Sequence, residues 1–319
     1  MSTNNIHPKL ISKIITHNNI LEELVALYNN KKLHHAYIFQ GIKGIGKASL
    51  AYLFTKLILS STNSITSTSL SNINSNAINL ILNNSHPNLL TIEPEWDEKN
   101  QQYKSNITIE QTREIKSFLN SSSLTSNIYP KIVIIDAIDD LNVNAANSIL
   151  KILEEPANNR LFLLICNNIF KILPTIRSRC IVKNFSPLNT TAIQEIIELL
   201  NLEKIPEEVI ENKDIINEGS MQQTLWFSNK NNLTVYNLAK KIIDTKDRTS
   251  LNQLADSVKN LSSYNFRYLI ELLIPKEKTL EEIKTNSKYL SIKLLLEQDK
   301  AFNLDKSSII TNFILELLI

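Results

Sequence analysis

A glycine-rich loop at residues 41–49, with the sequence GIKGIGKAS, constrains the fold more than any other stretch of the chain. The chain has only four glycines, and three of them, Gly41, Gly44 and Gly46, lie in this loop. Glycine reaches backbone conformations closed to other residues and lets backbone N–H groups approach a phosphate closely. Lys47 follows at the spacing of a phosphate-binding loop, GxxxxGK. The loop therefore predicts a P-loop fold, in which a strand precedes the glycines and a helix follows them.

The loop departs from a complete phosphate-binding motif at one position. Ala48 stands directly after the lysine, where a Ser or Thr hydroxyl would hold Mg²⁺. Ser49 offers a hydroxyl one residue later, about 100° further around the helix, so it is not expected to substitute. The sequence predicts a phosphate cradle that lacks its metal ligand.

Five short apolar runs predict strands that alternate with helical patterns, which is typical of a parallel α/β sheet. These runs lie at residues 36–40, 89–93, 132–135, 161–166 and 180–185. The third run is β-branched and continuous, as in strands buried on both faces of a parallel sheet. Asp136 follows it at the carboxyl end, where open α/β sheets place their ligands.

Beyond Pro187 the strand pattern ends and helical periodicity continues to the end of the chain. The predicted fold class is α/β followed by all-α. We predict a P-loop domain at residues 1–186, a small helical lid at residues 187–229 and a helical C-terminal domain at residues 230–319. Helices are expected at residues 190–200, 221–226, 233–243, 251–261, 266–273, 280–296 and 307–319.

Composition excludes several classes of protein. A net charge of +2 argues against a strongly basic nucleic-acid protein. Two cysteines, Cys166 and Cys180, permit neither a disulfide framework nor a four-cysteine zinc site. No apolar run approaches the ~20 residues that a membrane span requires. We therefore expect a cytoplasmic protein without a membrane partner. A Ser/Asn/Thr-rich tract at residues 60–85 is predicted to be a loosely helical or mobile surface segment without chemistry.

The residues after Asp136 weaken the prediction of ATP hydrolysis. In hydrolysing relatives of this fold an acidic residue follows the strand-end Asp and orients the attacking water, and here Ala137 stands in its place. Asp139 and Asp140 are predicted to begin a helix in solvent. Two parts that position Mg²⁺ and water are therefore missing. We expect ATP binding to be weak or absent and the chain alone not to hydrolyse ATP.

Arg179, in the segment TIRSRCIV, is a second candidate site. A guanidinium is a planar donor fork that suits phosphate oxygens, and one supplied by a neighbour can add ~10³ to 10⁵ in the rate of phosphoryl transfer. An ion pair within the domain is the alternative reading, and Arg177 is the nearby competitor. The residues alone leave these readings open.

Three motifs together resemble the delta-prime family of bacterial clamp-loader subunits, which are AAA+ proteins. The motifs are HHAYIFQGIKGIGKAS, IDAIDDLNVNAANSILKILEEP and LPTIRSRC, within residues 30–187. The resemblance implies a nucleotide-type domain, a small lid and a helical collar that joins a five-subunit ring. Over the helical remainder only the order of domains matches. The resemblance also implies that the chain forms a hetero-oligomer with gamma/tau and delta subunits. Through that complex it would contact the sliding clamp and primed DNA.

The resemblance also assigns the site residues. Arg179, within the motif formed with Ser178 and Cys180, is implied to act in trans on ATP bound by the adjacent subunit. Asn167 falls at the sensor position after the fourth strand. Gly219 and Ser220 match the start of the second sensor motif, and Gln222 or Gln223 holds the place of its arginine. The implied degenerate ATP site comprises Gly41, Gly44, Gly46, Lys47, Ser49, Asp136 and Asn167.

The family pattern bears on metals and on competing functions. Many clamp-loader subunits carry a four-cysteine zinc module after the P-loop helix, but residues 60–85 contain no cysteine, so no zinc is expected. A non-hydrolysing stator subunit fits the pattern best. The alternatives are a gamma/tau-type ATP-hydrolysing motor, motivated by Lys47 and Asp136, and a DNA-binding AAA+ initiator. An initiator usually brings a basic recognition helix, and the C-terminal domain shows no concentrated basic face.

Overall fold

The computed structural model describes two compact units of the chain. The first unit holds the described residues up to 202 together with residues 219–223, and the second holds residue 209, residues 224–274 and residues 305–318. The described residues are 7–61, 64–66, 75–97, 102–103, 106–121, 129–154, 159–200, 202, 209, 219–274 and 305–318.

A five-stranded parallel sheet forms the centre of the first unit. Its strands are β1 (Ala36–Gln40), β2 (Leu89–Ile92), β3 (Lys131–Asp136), β4 (Arg160–Cys166) and β5 (Ile181–Asn184), in the order β2-β3-β4-β1-β5. The five predicted strands are confirmed. The β-branched run of β3, Ile132 to Ile135, is fully buried, as expected for a strand covered on both faces.

Seven helices of the first unit connect and cover these strands in the described residues. They are α1 (Asn18–Asn29), α2 (Lys47–Ser60), α3 (Ser75–Leu82), α4 (Ile109–Asn120), α5 (Val143–Glu154), α6 (Pro174–Arg177) and α7 (Thr190–Leu199). Short 3-10 helices lie at Pro8–Leu10, Ile138–Asp140 and Ile169–Lys171, and Trp96–Asp97 pairs with Gln102–Tyr103 as a two-residue antiparallel ribbon. Helix α2, which follows the glycine loop, is buried along most of its length and contributes Leu50, Phe54 and Leu57 to the core.

The Ser/Asn/Thr-rich tract is more ordered at its end than its composition predicts. Helix α3 occupies residues 75–82, and the side chains of Ala77 and Ile81 are buried. The helix packs against α2. Two buried apolar residues four positions apart pack this short helix against the core, although polar residues dominate the tract.

The second unit is helical, which confirms the predicted all-α remainder in the described residues. Its helices are α8 (Met221–Ser228), whose first three residues belong to the first unit, α9 (Lys230–Thr245), α10 (Leu251–Lys259), α11 (Ser263–Leu273) and α12 (Lys306–Leu317). Helix α12 buries an apolar face at Ile310, Phe313 and Ile314. Helix α12 packs on α10, where the Ser307 hydroxyl donates to the Ala255 carbonyl at 2.7 Å.

The predicted boundaries at residues 186 and 229 stay a prediction. Helix α7 belongs to the first unit, and residues 224–229 belong to the second. Part of the predicted lid, residues 201, 203–208 and 210–218, lies outside the described residues, and so does the predicted helix at 280–296.

Two glycines of the loop make a matched pair for a stability measurement. Gly44 has φ +82° and Gly46 has φ +93°, so alanine is strained at both positions. A Cβ atom on Gly44 would lie 2.6 Å from the Gln222 Cβ and 2.8 Å from the Gln222 backbone nitrogen, whereas one on Gly46 would meet nothing within 4 Å. Only the alanine at 44 therefore adds a collision with the backbone to the conformational strain.

We predict that Gly44→Ala lowers the free energy of unfolding by about 1–3 kcal/mol more than Gly46→Ala does. Urea denaturation of the full chain, followed by circular dichroism, measures both variants against the wild type. Equal losses for the two variants would contradict the close packing of residue 222 on the loop.

Candidate functional site

The phosphate-loop site lies where three neighbouring parallel strands end. Gln40 at the end of β1 is in register with Cys166 at the end of β4, and Asp136 at the end of β3 is in register with Ile165. The glycine loop leads from β1 into α2, which begins at Lys47. The fold thereby brings Lys47, Asp136 and Asn167 together, as expected for the carboxyl edge of a parallel sheet.

Lys47 uses all of its hydrogen-bond donors inside the protein. Its ammonium donates to the carbonyl oxygens of Gly41 at 2.8 Å and Ile42 at 2.5 Å, and to Oδ1 of Asn167 at 3.0 Å. A lysine ammonium has three hydrogens, so this set is complete. The side chain is only 3% exposed. The lysine that was predicted to bind phosphate is instead hydrogen-bonded to its own loop and to Asn167.

Burial sets the charges of this site. Burial lowers the pKa of Lys47 to about 8, against the opposing effect of Asp136 and Asp139. Burial also raises the pKa of the Asp136 carboxyl to about 6, with a further increase from Glu93 and an opposing effect of Lys47. At pH 7 the ammonium and the carboxylate are therefore both charged. Asp136 balances the charge of the lysine, which weakens the positive potential available to a phosphate.

Asp139 corrects one prediction. It lies in the 3-10 helix Ile138–Asp140, but its carboxylate does not merely begin a helix in solvent. Oδ1 accepts a hydrogen bond from the Asn167 backbone N–H at 2.9 Å, and Oδ2 accepts one from the Asn168 backbone N–H at 3.1 Å. Asp139 therefore fixes the loop after β4, and with it the amide that contacts Lys47. Ala137, at the position of the missing carboxylate, is buried.

The segment at residues 219–222 packs on the glycine loop, a contact that sequence reasoning missed. The Ser220 hydroxyl donates to the Lys43 carbonyl at 2.7 Å, and the Met221 backbone N–H donates to the Gly44 carbonyl at 2.9 Å. Gly219, with φ +59°, also accepts a hydrogen bond from the Leu188 N–H at 2.8 Å. The one glycine outside the loop was the signal that could have indicated this close approach.

The remaining residues that were predicted for the loop site lie in the first turns of α2 and α8. Ser49 is half-buried in the first turn of α2, one residue beyond Ala48. Gln222, one of the two candidates for the second sensor position, lies directly against Gly44, and Gln223 is buried. A glutamine at either position supplies no positive charge for a phosphate.

Arg179 lies away from the glycine loop, beside a surface depression of about 490 Å³. Its Nη2 is 2.8 Å from Oε1 of Glu154, and its Nη1 donates to the Thr175 carbonyl at 2.7 Å. About a third of the side chain is exposed. The free chain therefore contains the intradomain ion pair that the sequence left as one of two readings. The depression is lined by His34, His35, Leu153, Glu154, Ser178, Arg179, Cys180 and Ile181.

The turn after α6 places Arg179 at this surface. Pro174 starts α6 at a position that suits proline, and the helix ends at Arg177. The Ser178 hydroxyl donates to the Thr175 carbonyl at 3.1 Å, and the Arg179 Nη1 lies 3.4 Å from the same hydroxyl. Burial raises the pKa of the Cys180 thiol to about 12, so this cysteine stays protonated and unreactive.

The described residues offer neither a metal site nor a membrane span. Within that part of the chain, no three His, Cys, Asp or Glu side chains are grouped so that they could hold a metal ion. In the same residues, no helix combines the length and the apolar character that crossing a membrane requires.

The chain is similar in sequence to known subunits of DNA polymerase III. The delta' subunit of DNA polymerase III from Pseudomonas aeruginosa is 33% identical over 147 residues, which cover 46% of this chain and 42% of the relative. The tau/gamma subunit from Haemophilus influenzae is 30% identical over 202 residues, which cover 63% of this chain and 27% of the relative. The solved structure of a gamma subunit-related protein from Thermotoga maritima aligns at 19% identity with a TM-score of 0.49 and covers 92% of this chain and 97% of that one.

The matched stretches span less than half the length of these two sequence relatives. A family model described as DNA polymerase III, delta subunit, matches residues 16–189, which is more than half of this chain. The chain therefore belongs to the DNA polymerase III delta subunit family, and its resemblance to the delta-prime clamp-loader subunits is confirmed.

Proposed function

We propose that this chain is a non-hydrolysing stator subunit of the DNA polymerase III clamp loader. In this role it helps to load the sliding clamp on primed DNA and supplies Arg179 in trans to ATP held by a neighbouring subunit. One contrast carries the proposal. Lys47 is buried with all three donors satisfied inside its own loop, whereas Arg179 is partly exposed at the protein surface.

The closed loop supports weak or absent ATP binding. A phosphate that bound Lys47 would have to replace the carbonyls of Gly41 and Ile42 and the amide of Asn167. The lost hydrogen bonds would leave buried polar groups without partners unless the loop rearranged. The bound phosphate would gain neither a Ser or Thr metal ligand, because residue 48 is Ala48, nor a sensor arginine at 222 or 223. We expect the loop to act as structural framework.

The surroundings of Arg179 support its action on a neighbour's nucleotide. The guanidinium is a planar fork, and phosphate oxygens match its geometry in the same way as the oxygens of Glu154 do. An ion pair between partly exposed side chains contributes only ~0–1 kcal/mol, so a triphosphate with several negative charges can replace the carboxylate. Ser178 hydrogen-bonds within the same turn and thereby positions the arginine.

The partners in this proposal are the gamma/tau and delta subunits, in a cytoplasmic hetero-oligomer. The first unit provides the surface with Arg179, and the helical second unit is expected to act as the collar that joins the ring. The clamp and the primed DNA are engaged through the complex. Neither bound metal nor a nucleotide of its own is needed for this role.

A gamma/tau-type motor subunit is the second candidate. Two observations favour it, namely the presence of Lys47 and Asp136 at their expected places and the 30% identity to a tau/gamma subunit. A motor must bind ATP with the chain's own loop. The two candidates therefore differ in a property of the isolated chain.

We predict no ATP binding by the isolated chain at micromolar to tens of micromolar concentrations, measured by isothermal titration calorimetry with Mg²⁺ present. Because Lys47 is already satisfied by its own loop, Lys47→Ala should leave this result unchanged. Saturable binding that Lys47→Ala abolishes would favour the motor and contradict the stator.

We predict that Arg179→Ala reduces ATP hydrolysis at the neighbouring site by about 10³-fold or more, because that site loses the charge that stabilises its transition state. Single-turnover hydrolysis by the reconstituted, DNA-bound complex measures the effect. Arg177→Ala is the matched control, since Arg177 is an exposed arginine two residues away. Arg179→Lys should restore little of the lost hydrolysis rate, because a lysine ammonium lacks the planar donor fork of a guanidinium. Equal rates for the Arg179→Ala and Arg177→Ala complexes would refute the trans role.

A further inference from the structure

We infer that Glu154 is a positioning residue for the arginine that this chain supplies to its neighbour. In the free chain it holds Arg179 in a stored conformation, and on assembly it competes with the neighbour's phosphate for the guanidinium. This inference rests on the proposed function of Arg179, but the ion pair itself is a property of the free chain and can be tested there.

The contacts of Arg179 divide into two groups. Thr175 and Ser178 lie in the same turn as Arg179, and both contact its Nη1, at 2.7 Å and 3.4 Å. Glu154 ends a different helix, α5, and contacts Nη2 at 2.8 Å. All of these contacts are made by nitrogens of the one guanidinium, so an arginine that reaches outward gives them up together. The contact with Glu154 is the one between opposite charges, and it is the one that a phosphate must replace.

Glu154 shares the depression with two histidines and with Arg179, its ion-pair partner. His34 and His35 line the same depression, with their ring centroids 4.2 Å apart. Burial and the neighbouring His34 lower the pKa of His35, which disfavours a positive charge on that ring beside the carboxylate. Among the described residues, the ion pair of Glu154 is with Arg179. When the arginine leaves, Glu154 loses the ion-pair partner that it has among these residues.

Breaking the ion pair between Arg179 and Glu154 costs little free energy. The ion pair is weak because 33% of the Arg179 side chain and 46% of the Glu154 side chain are exposed. A ligand with one negative charge gains little by replacing one carboxylate with another anion and also meets repulsion from Glu154. A triphosphate is attracted more strongly by Arg179 and also repelled more strongly by Glu154, because both Coulomb energies scale with the charge of the ligand. The carboxylate therefore lowers the affinity of Arg179 for any anion, the neighbour's phosphate included.

The functional test is Glu154→Gln in the reconstituted complex, since glutamine keeps the shape and removes the charge. We expect the concentration of this chain that half-maximally stimulates the DNA-dependent ATPase to fall about threefold to fivefold, without a matching gain in the maximal rate. Glu195→Gln, at an exposed carboxylate of α7, is the matched control and should behave as wild type. In the Arg179→Ala background, Glu154→Gln should have no further effect.

A second measurement uses the isolated chain and needs no partner. Nitrogen-15 NMR of the Arg179 guanidinium reports how fast the group rotates, and tripolyphosphate serves as the probe anion. We expect Glu154→Gln to speed the rotation and to tighten tripolyphosphate binding, and Glu195→Gln to change neither.

The outcomes separate the two claims. If Glu154→Gln leaves guanidinium rotation, tripolyphosphate binding and half-maximal concentration at wild-type values, the inference about Glu154 is overturned. If Arg179→Ala does not alter the ATPase of the complex, the proposed trans role fails, whatever Glu154→Gln does. A higher half-maximal concentration for Glu154→Gln would also overturn the inference, because the carboxylate would then assist engagement.

Discussion

The three hydrogen bonds of the Lys47 ammonium are the interaction on which the site depends. Two of them fold the glycine loop back on its own carbonyls, and the third joins the loop to Asn167 at the end of β4. Asp139 holds that amide in place through the backbone of residues 167 and 168. The ends of β1, β3 and β4 are thereby linked without a ligand. We propose that a loop with these internal hydrogen bonds binds nucleotide weakly or not at all.

The sequence predicted the sheet well because the relevant signals are local. The apolar run of β3, the glycines after β1 and the spacing to Lys47 each lie within a few residues and indicate one local structure. Asp139 was assigned to solvent because its partners, the amides of Asn167 and Asn168, lie nearly 30 residues away. Hydrophobic periodicity carries no information about such a polar contact.

The same limit explains what the sequence left undecided about the site. The contact of residues 219–222 with the glycine loop joins positions about 180 residues apart, and only the lone glycine at 219 hinted at it. For Arg179 the residues left two readings open. The structure shows the ion pair with Glu154, and the proposed trans role adds a second state of the same side chain rather than excluding the first.

In the role that we propose, this subunit has a closed loop and a partly exposed arginine, and the parts of an ATP site are divided between two chains. The loop no longer needs to open and close around a nucleotide, so it can stabilise the domain permanently, as the close packing on Gly44 indicates. The arginine can then be used by a neighbour without competition from a nucleotide bound to its own chain. The proposed stator needs a rigid loop and an arginine that a neighbour can reach, and one chain can meet both needs because the loop and Arg179 are separate sites.

The most direct test of this account is a structure of the assembled clamp loader with primed DNA and a non-hydrolysable ATP analogue. If this chain is a stator, the loop at residues 41–49 keeps its hydrogen bonds to Lys47 and binds no nucleotide in the assembled complex. The Arg179 guanidinium is then predicted to lie within hydrogen-bond distance of the γ-phosphate bound by the adjacent subunit. An ATP analogue bound to Lys47, with Arg179 still paired to Glu154, would contradict the stator role.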